Sequence, residues 1–181
     1  MNDKERVAIF IDGSNHYHIV KDMFKNKVSP NNFNFDKFIK FLVNGRNLIR
    51  TYYYSAPLDI GFDRETYMKQ QKFFDRLQRV QNFKLVLCRM QKVKIDGKTV
   101  YQVKEDDIHL AVDMVKLAYN NAYDTAILVS SDGDFVPAVQ AVKEIGKNVE
   151  NLGFETKFSY YLKRECDKFR KLTKKEVKTF F

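Results

Sequence analysis

The stretch "AILVSSDGDFVPAVQAVKEIGKNVENLGF", Ala126 to Phe154, holds two apolar runs separated by a helical pattern. Thr125 to Ser130 is short, continuous and rich in apolar residues, which suits a strand buried on both faces. Two acids, Asp132 and Asp134, stand where that run stops. A helix is predicted over Phe135 to Ile145, with Pro137 in its first turn, where a missing N–H does no harm, and Gly146 placed to stop it. "NVENLGF" then reads as the last strand. Strands alternating with helices imply an α/β fold with a mostly parallel sheet covered on both faces.

The same grammar runs outward from this unit. "RVAIFI", Arg6 to Ile11, is a buried strand ended by Asp12-Gly13-Ser14-Asn15, and a helix follows through His18 to Met23. A polar loop with Ser-Pro and Asn-Asn signals leads to a helix over Phe35 to Val43. Asn47 to Ala56 is a second strand. Phe62, Tyr67, Phe73, Phe74, Leu77 and Val80 mark one face of an amphipathic helix. "FKLVLCRM" reads as a third strand. "QKVKIDGKTVYQV" alternates around Asp96-Gly97 and predicts a two-stranded arm. A helix is predicted over Glu105 to Asn121, and "SYYLKRECDKFRKL" as a closing helix. With no repeat or linker, the chain reads as one domain over residues 1–172, followed by the basic tail 173–181, either frayed or docked.

Composition bounds the function. The chain has 181 residues, 44% hydrophobic and 30% charged, enough for a full core without disulfides. Cys88 and Cys166 are far apart and fit no zinc spacing, which favours a reduced, intracellular protein. The charged N-terminus resembles no signal peptide and no apolar run approaches bilayer length, so the expected location is the cytoplasm, with no membrane partner. A net charge of +9 favours polyanionic partners. The candidate phosphate contacts are Lys92, Lys94 and Lys98 on the arm and Arg64, Lys69, Lys72, Arg76 and Arg79 on the amphipathic helix.

In open parallel sheets ligands bind beyond the carboxyl ends of the strands, so Asp12, Asp132 and Asp134 are expected in one crevice. A fourth acid comes from the helix after the arm. Projected at about 100° per residue, Ile108, Ala111, Val112, Met114, Val115, Ala118 and Tyr119 form an apolar arc that includes Asp107. Asp106, His109 and Asp113 fall on the polar face. An inward Asp107 is costly unless its charge is compensated. Two carboxylates about 5 Å apart repel by roughly 3 kcal/mol at an effective dielectric near 20, so a cluster stays ionised only with bound cations. Oxygen ligands without Cys or paired His favour Mg²⁺ or Mn²⁺. The plainer reading of the same residues is a turn at Asp132-Gly133 with Asp134 capping the next helix, and Ser14 or Asn15 capping the first. His16, His18 and His109 read as surface or edge residues, and at least one of Tyr52, Tyr53 and Tyr54 as core.

Three motifs in order, "VAIFIDGSN", "KEDDIHLAVDMVKLA" and "YDTAILVSSDGDFVPAVQAVKEIGKNVENLGF", together with "LKRECDKF", resemble the NYN domain family of the PIN-like nuclease superfamily, and within it the LabA-like (DUF88) branch. The resemblance spans nearly the whole chain. It implies a PIN-like three-layer α/β/α sandwich with a central, mostly parallel sheet and a small β-hairpin arm. It also implies a Mg²⁺- or Mn²⁺-binding carboxylate cluster and ribonuclease activity. By position the acids are Asp12, Asp107, Asp132 and Asp134, with Asp113 also matching an acid and Asn15 the polar residue after the first. Where the family commonly has Lys-Gly-Val-Asp, this chain has Lys104-Glu105-Asp106-Asp107, so Asp106 is a further candidate.

The expected function is metal-dependent hydrolysis of RNA, single-stranded or structured. Asp12, Asp107 and Asp132 would hold one or two ions, Asp134 would complete the shell, and Asn15 and Ser131 would donate to water or phosphate. PIN-like relatives often pair, which makes a homodimer an expected assembly. The alternatives are an RNA-binding regulatory module with vestigial acids and a metal-dependent phosphatase or nucleotide-processing enzyme. A haloacid-dehalogenase-type phosphatase would need an acid at position 14, where this chain has Ser14.

Overall fold

The structure is a computed structural model describing residues 4–58, 63–95 and 98–181, without the side chains of 93, 95 and 98–104. Val7 to Ile11 are almost completely buried, as a central parallel strand must be when helices cover both faces. This strand, β1 (Arg6–Asp12), pairs in parallel with β2 (Asn47–Ser55) on one side and β6 (Thr125–Val129) on the other. β3 (Phe83–Leu87) extends the sheet beyond β2, and β7 (Asn148–Phe154) and β8 (Lys168–Leu172) extend it beyond β6. The order is β3-β2-β1-β6-β7-β8, with every neighbouring pair parallel. Sheet growth reverses between β1 and β6, which makes that seam the topological switch point where ligands bind in such sheets.

Alternation along β1 builds the layers. Val7, Ile9 and Ile11 pack with α1 (Gly13–Met23), α2 (Phe35–Val43) and α3 (Arg64–Gln78). Ala8 and Phe10 face the opposite layer of α4 (Asp106–Tyr119), α5 (Val136–Glu144) and α6 (Tyr160–Glu165). All of Tyr52, Tyr53 and Tyr54 are buried. The arm pairs β4 (Arg89–Ile95) antiparallel with β5 (Lys98–Lys104). Its expected turn residues Asp96 and Gly97, like Phe62 of the amphipathic pattern, lie outside the described residues. No helix among the described residues is long and apolar enough to cross a membrane.

Several expectations are corrected. "FKLVLCRM" is not one strand: β3 stops at Leu87, and Arg89 and Met90 already belong to the arm. The closing helix over Ser159–Leu172 is cut short at Glu165, because Cys166 has extended backbone (φ −73°, ψ 151°). Asp167 enforces the change: its N–H donates to Val149 O and its carboxylate accepts from Val149 N, clipping the chain beside β7. The residues that follow form β8, so β7 is not the last strand. The tail docks through α7 (Lys174–Lys178), with Val177 and Phe180 buried and Asn34 N–H donating to Phe180 O at 2.7 Å.

The largest correction concerns the face of α4. The helix carries apolar residues on two sides, and composition alone could not say which docks. The sheet takes Leu110, Met114 and Ala118, a stripe four residues apart with Asp106 one turn ahead of it. Ile108, Val112 and Tyr119 are left 66%, 56% and 80% exposed. Asp106 is therefore the buried acid and Asp107 the exposed one, the reverse of the projection.

His16 is also corrected from surface to core. Its ring centroid lies 4.7 Å from Phe33 and 5.3 Å from Phe35, and neither nitrogen has a hydrogen-bond partner. Burial pushes it down to about 3 from an ordinary 6.5. Below 6.5 the unfolded chain takes a proton that the native state refuses, so stability falls as pH drops from 6.5 towards 3, by up to about 1.4 kcal/mol per pH unit. Urea unfolding of His16→Leu is expected to show a flatter acid limb between pH 6.5 and 4 than the parent protein. An equally steep limb would show that His16 does not set it.

Candidate functional site

Asp12 ends β1 and is 5% exposed. It is itself the N-cap of α1, where Ser14 or Asn15 was expected: its Oδ1 accepts from Asn15 N at 2.9 Å. Its Oδ2 accepts from Ser130 Oγ at 3.0 Å, across the switch-point seam. The close approach of α1 to β2 depends on Gly13, where an added Cβ would lie 2.4 Å from Tyr54 O. Asn15 turns back to the same seam, its Oδ1 accepting from Ser131 N at 3.1 Å. Asn151 of β7 fixes Ser130 from the other side, its Nδ2 donating to Leu128 O and Ser130 O.

Asp132 follows β6 and caps a short 3₁₀ turn, Gly133–Phe135, by accepting from Asp134 N at 3.0 Å. The expected roles are thus exchanged, with Asp132 capping and Asp134 inside the turn. α4 brings the remaining acids. Glu105, in the position of the glycine named by the resemblance, has left-handed backbone (φ 74°) and starts the helix, so that Asp106 and Asp107 occupy its first turn. Oxygens of Asp12, Asp106 and Asp107 lie within 4.8 Å of one another.

Mutual repulsion and burial shape this group. Asp12 is pushed up to about 7, chiefly by burial and then by Asp107 and Asp106, while the Asn15 and Ser130 donors pull the other way. Asp107 is pushed up to about 6 by partial desolvation and by the charges of Asp106, Asp132 and Asp134. Such a set can accept a cation without importing any new negative charge. The surrounding crevice, about 480 Å³, lies within the usual size range of ligand sites.

The other expected residues are placed as follows. Asp132 lines the crevice with Asp12, Asp106, Asp107 and Asn15, but Asp134 is not part of that lining. Asp113 lies two turns along α4 and accepts from Tyr54 OH at 3.0 Å. Ser131 Oγ donates to Lys157 O at 2.8 Å. None of the seven cations of the arm and α3 whose side chains are described lines the crevice. Lys92 and Lys94 are exposed on β4, and the side chain of Lys98 lies outside the described residues. Arg64, Lys72 and Arg79 are exposed on α3, Lys69 pairs with Glu65 at 2.7 Å, and Arg76 donates to Asn31 O. α3 packs beside β3, two strand spacings, or about 10 Å, from β1.

Sequence reasoning missed Ser130, Asp22 and Lys157, and read His18 as a surface residue, which it is, without placing it at the crevice. A signal existed for the α1 wall: Ser14, His18 and Asp22 recur every four residues, starting just after the capping acid, and all line the crevice. Ser130 was readable only as the end of a strand, and Lys157 lay in a stretch without a motif.

A family model described as "NYN domain" matches residues 6–173. An uncharacterized protein, MJ0482 of Methanocaldococcus jannaschii, is 41% identical over 61 residues, 34% of this chain and 25% of that protein. The chain thus spans a quarter of that relative's length. A crystal structure of a protein of unknown function, VPA0982 from Vibrio parahaemolyticus, superposes with a TM-score of 0.73 at 24% identity, covering 95% of both chains. That likeness concerns the fold.

The burial of Asp12 sets a pH test. Between 3.8 and about 7 the native state keeps a proton that the unfolded chain has released, so stability is lost as pH rises through that window. Asp12→Asn carries no such cost. In chelating buffer its stability advantage over the parent is expected to grow by roughly 2–4 kcal/mol from pH 4.5 to 7.5, read from urea unfolding. A difference that does not change with pH would mean that Asp12 ionises freely.

Proposed function

The chain belongs to the NYN domain family, and from that premise we propose that it is a metal-dependent ribonuclease acting in the cytoplasm, with its centre at the β1–β6 switch point. The observation that carries this reading is the meeting of Asp12, Asp106 and Asp107 oxygens within 4.8 Å. The donors are all carboxylate oxygens, the chemistry that Mg²⁺ and Mn²⁺ select. Asp12, Asp106 and Asp107 would hold the ion, with Asp132 at the rim of the crevice. Asp106 joins the holding group on the strength of its burial, while Asp134 acts on Asp107 through charge.

A bound divalent ion supplies a lowered water pKa and neutralises charge on the phosphate. The chain supplies the positioning. Asn15 N and Ser130 Oγ hold both oxygens of Asp12 in place, one donor to each, so that each oxygen keeps a lone pair with which it would bind an ion. Asn15 uses its Oδ1 on Ser131 N, which leaves its amide Nδ2 as a donor for a phosphate oxygen. The two buried free cysteines suit a reducing compartment. The homodimer would use the exposed Ile108, Val112 and Tyr119 stripe of α4, apolar surface on a helix that already docks by its other side.

Incubating unpaired and structured RNA with Mg²⁺ or Mn²⁺ tests the activity. Asp12→Asn is expected to lower the cleavage rate at least about a hundredfold. Asp106→Asn should cost about as much as Asp107→Asn, and Asp134→Asn less. Full cleavage by Asp12→Asn would refute the site, and phosphate release from small phosphoesters with RNA left uncut would refute the substrate. Metal binding has its own readout. Mn²⁺ at a hundred times its Kd should stabilise the protein by about 2.7 kcal/mol, and a thermal midpoint unmoved by millimolar Mn²⁺ would rule the centre out.

A further inference from the structure

The described cations first assigned to substrate binding do not line the acidic crevice, which leaves the hold on a strand there to other residues. Lys157 is the one cation lining the crevice among the described residues. Its backbone is fixed twice: its carbonyl accepts from Ser131 Oγ, next to Asp132, and it closes a tight turn with Phe154 through N–O distances of 3.0 and 3.1 Å. Its Nζ has no ion pair or hydrogen bond among the described residues.

The residues that follow point in the same direction. A Cβ at Gly133, in the turn that Asp132 caps, would lie 3.6 Å from Tyr161 Cδ2 and 3.2 Å from Ser159 Oγ, so the start of α6 lies against that turn. Phe158 anchors the segment by packing on Phe169, at 5.6 Å between centroids, and over Gly153. Tyr160 and Tyr161 are 67% and 65% exposed at the start of α6. From Lys157 to Lys178 there are nine Lys and Arg against three acids, much of the chain's net charge of +9.

We infer that Lys157, Tyr160 and Tyr161 form a platform that holds an unpaired RNA strand as it enters the acidic crevice. The inference rests on the ribonuclease reading and adds to it the form of the substrate. Tyrosine faces stack on bases whose own faces are free, which a duplex does not offer. Lys157 supplies a phosphate contact beside acids that would otherwise repel the backbone.

The test is binding, measured by fluorescence anisotropy in EDTA, of a labelled unstructured RNA of about a dozen nucleotides, long enough to cover one stacking site, and of the same sequence as a blunt duplex. The unpaired strand is expected to bind at least tenfold more tightly. Tyr160→Ala and Tyr161→Ala should each weaken it by about 5- to 100-fold, while the Phe variants stay close to the parent. Lys157→Gln should weaken binding and reduce the salt dependence by about one counterion. Both tyrosines are exposed, and circular dichroism melts confirm that the variants fold. Duplex bound as tightly as the strand, or Ala variants that bind like the parent, would overturn the platform. Tyrosine-dependent binding with RNA left uncut in Mn²⁺ would refute the ribonuclease reading and leave the platform standing. Cleavage unaffected by the Ala variants would do the opposite.

Discussion

The bond from Ser130 Oγ to Asp12 Oδ2 crosses the seam where the sheet reverses its direction of growth. Both partners follow directly from parallel pairing, since Ile11 lies opposite Val129 and each next residue leaves its strand at the same level. Asn15 binds Ser131 N from α1, and Asn151 binds Ser130 O from β7. Four elements are thus referred to one carboxylate. Hydrogen bonds to a charged group contribute about 1.5–3 kcal/mol each, less than full burial of the charge costs. Asp12 consequently remains raised to about 7 despite two donors. The fold holds an acid that its own polar groups do not satisfy, and the neighbouring Asp106 and Asp107 increase the deficit.

How α4 reaches this place is a matter of one backbone angle. Glu105 sits at φ 74°, a conformation that costs a residue with a Cβ about 1–3 kcal/mol. The turn directs α4 so that its first two residues both arrive at Asp12. The Glu105 side chain is put to use, pairing with Arg89 at 2.8 Å and tying the base of the arm to the start of the helix. A glycine would adopt the angle freely but could not make that tie.

The strands at Arg6 and Thr125 were legible because central parallel strands are apolar without interruption, and those at Asn47, Phe83 and Asn148 because turn residues bracket a β-branched or aromatic run. β8 was not, because an edge strand needs only one buried face: Lys168, Arg170 and Lys171 are exposed, and only Leu172 is fully buried. The residues of Lys168–Leu172 read equally well as the polar side of a helix, and the deciding contact, Asp167 with Val149, is tertiary. The face of α4 failed for a related reason. The projected arc ran from Ile108 and Val112 to Tyr119 with Met114 and Ala118 inside it, whereas docking centred on Leu110, Met114 and Ala118, the side chains that fit against Phe10 and Tyr54. His16 was misplaced because a neutral imidazole among phenylalanines obeys packing, not polarity. Of the candidate site, the acids at strand ends were legible from topology; the relative burial of Asp106 and Asp107 was not, because it depends on a helix rotation of a single residue.

Capping and cation binding are usually weighed against each other for an acid at the end of a strand. Here they use different atoms and lone pairs of the same group. Asp132 spends Oδ1 on Asp134 N, and Asp12 spends Oδ1 on Asn15 N. Each bond fixes a side-chain rotamer that a free aspartate would have to give up on binding, and so lowers the entropy lost when an ion is engaged. A cap that aims its own carboxylate into a crevice would therefore serve a bound ion as well as its helix. The distinction that matters is between acids whose caps face the shared crevice, Asp12 and Asp132, and an acid such as Asp63, which caps α3 at the exposed surface outside that crevice.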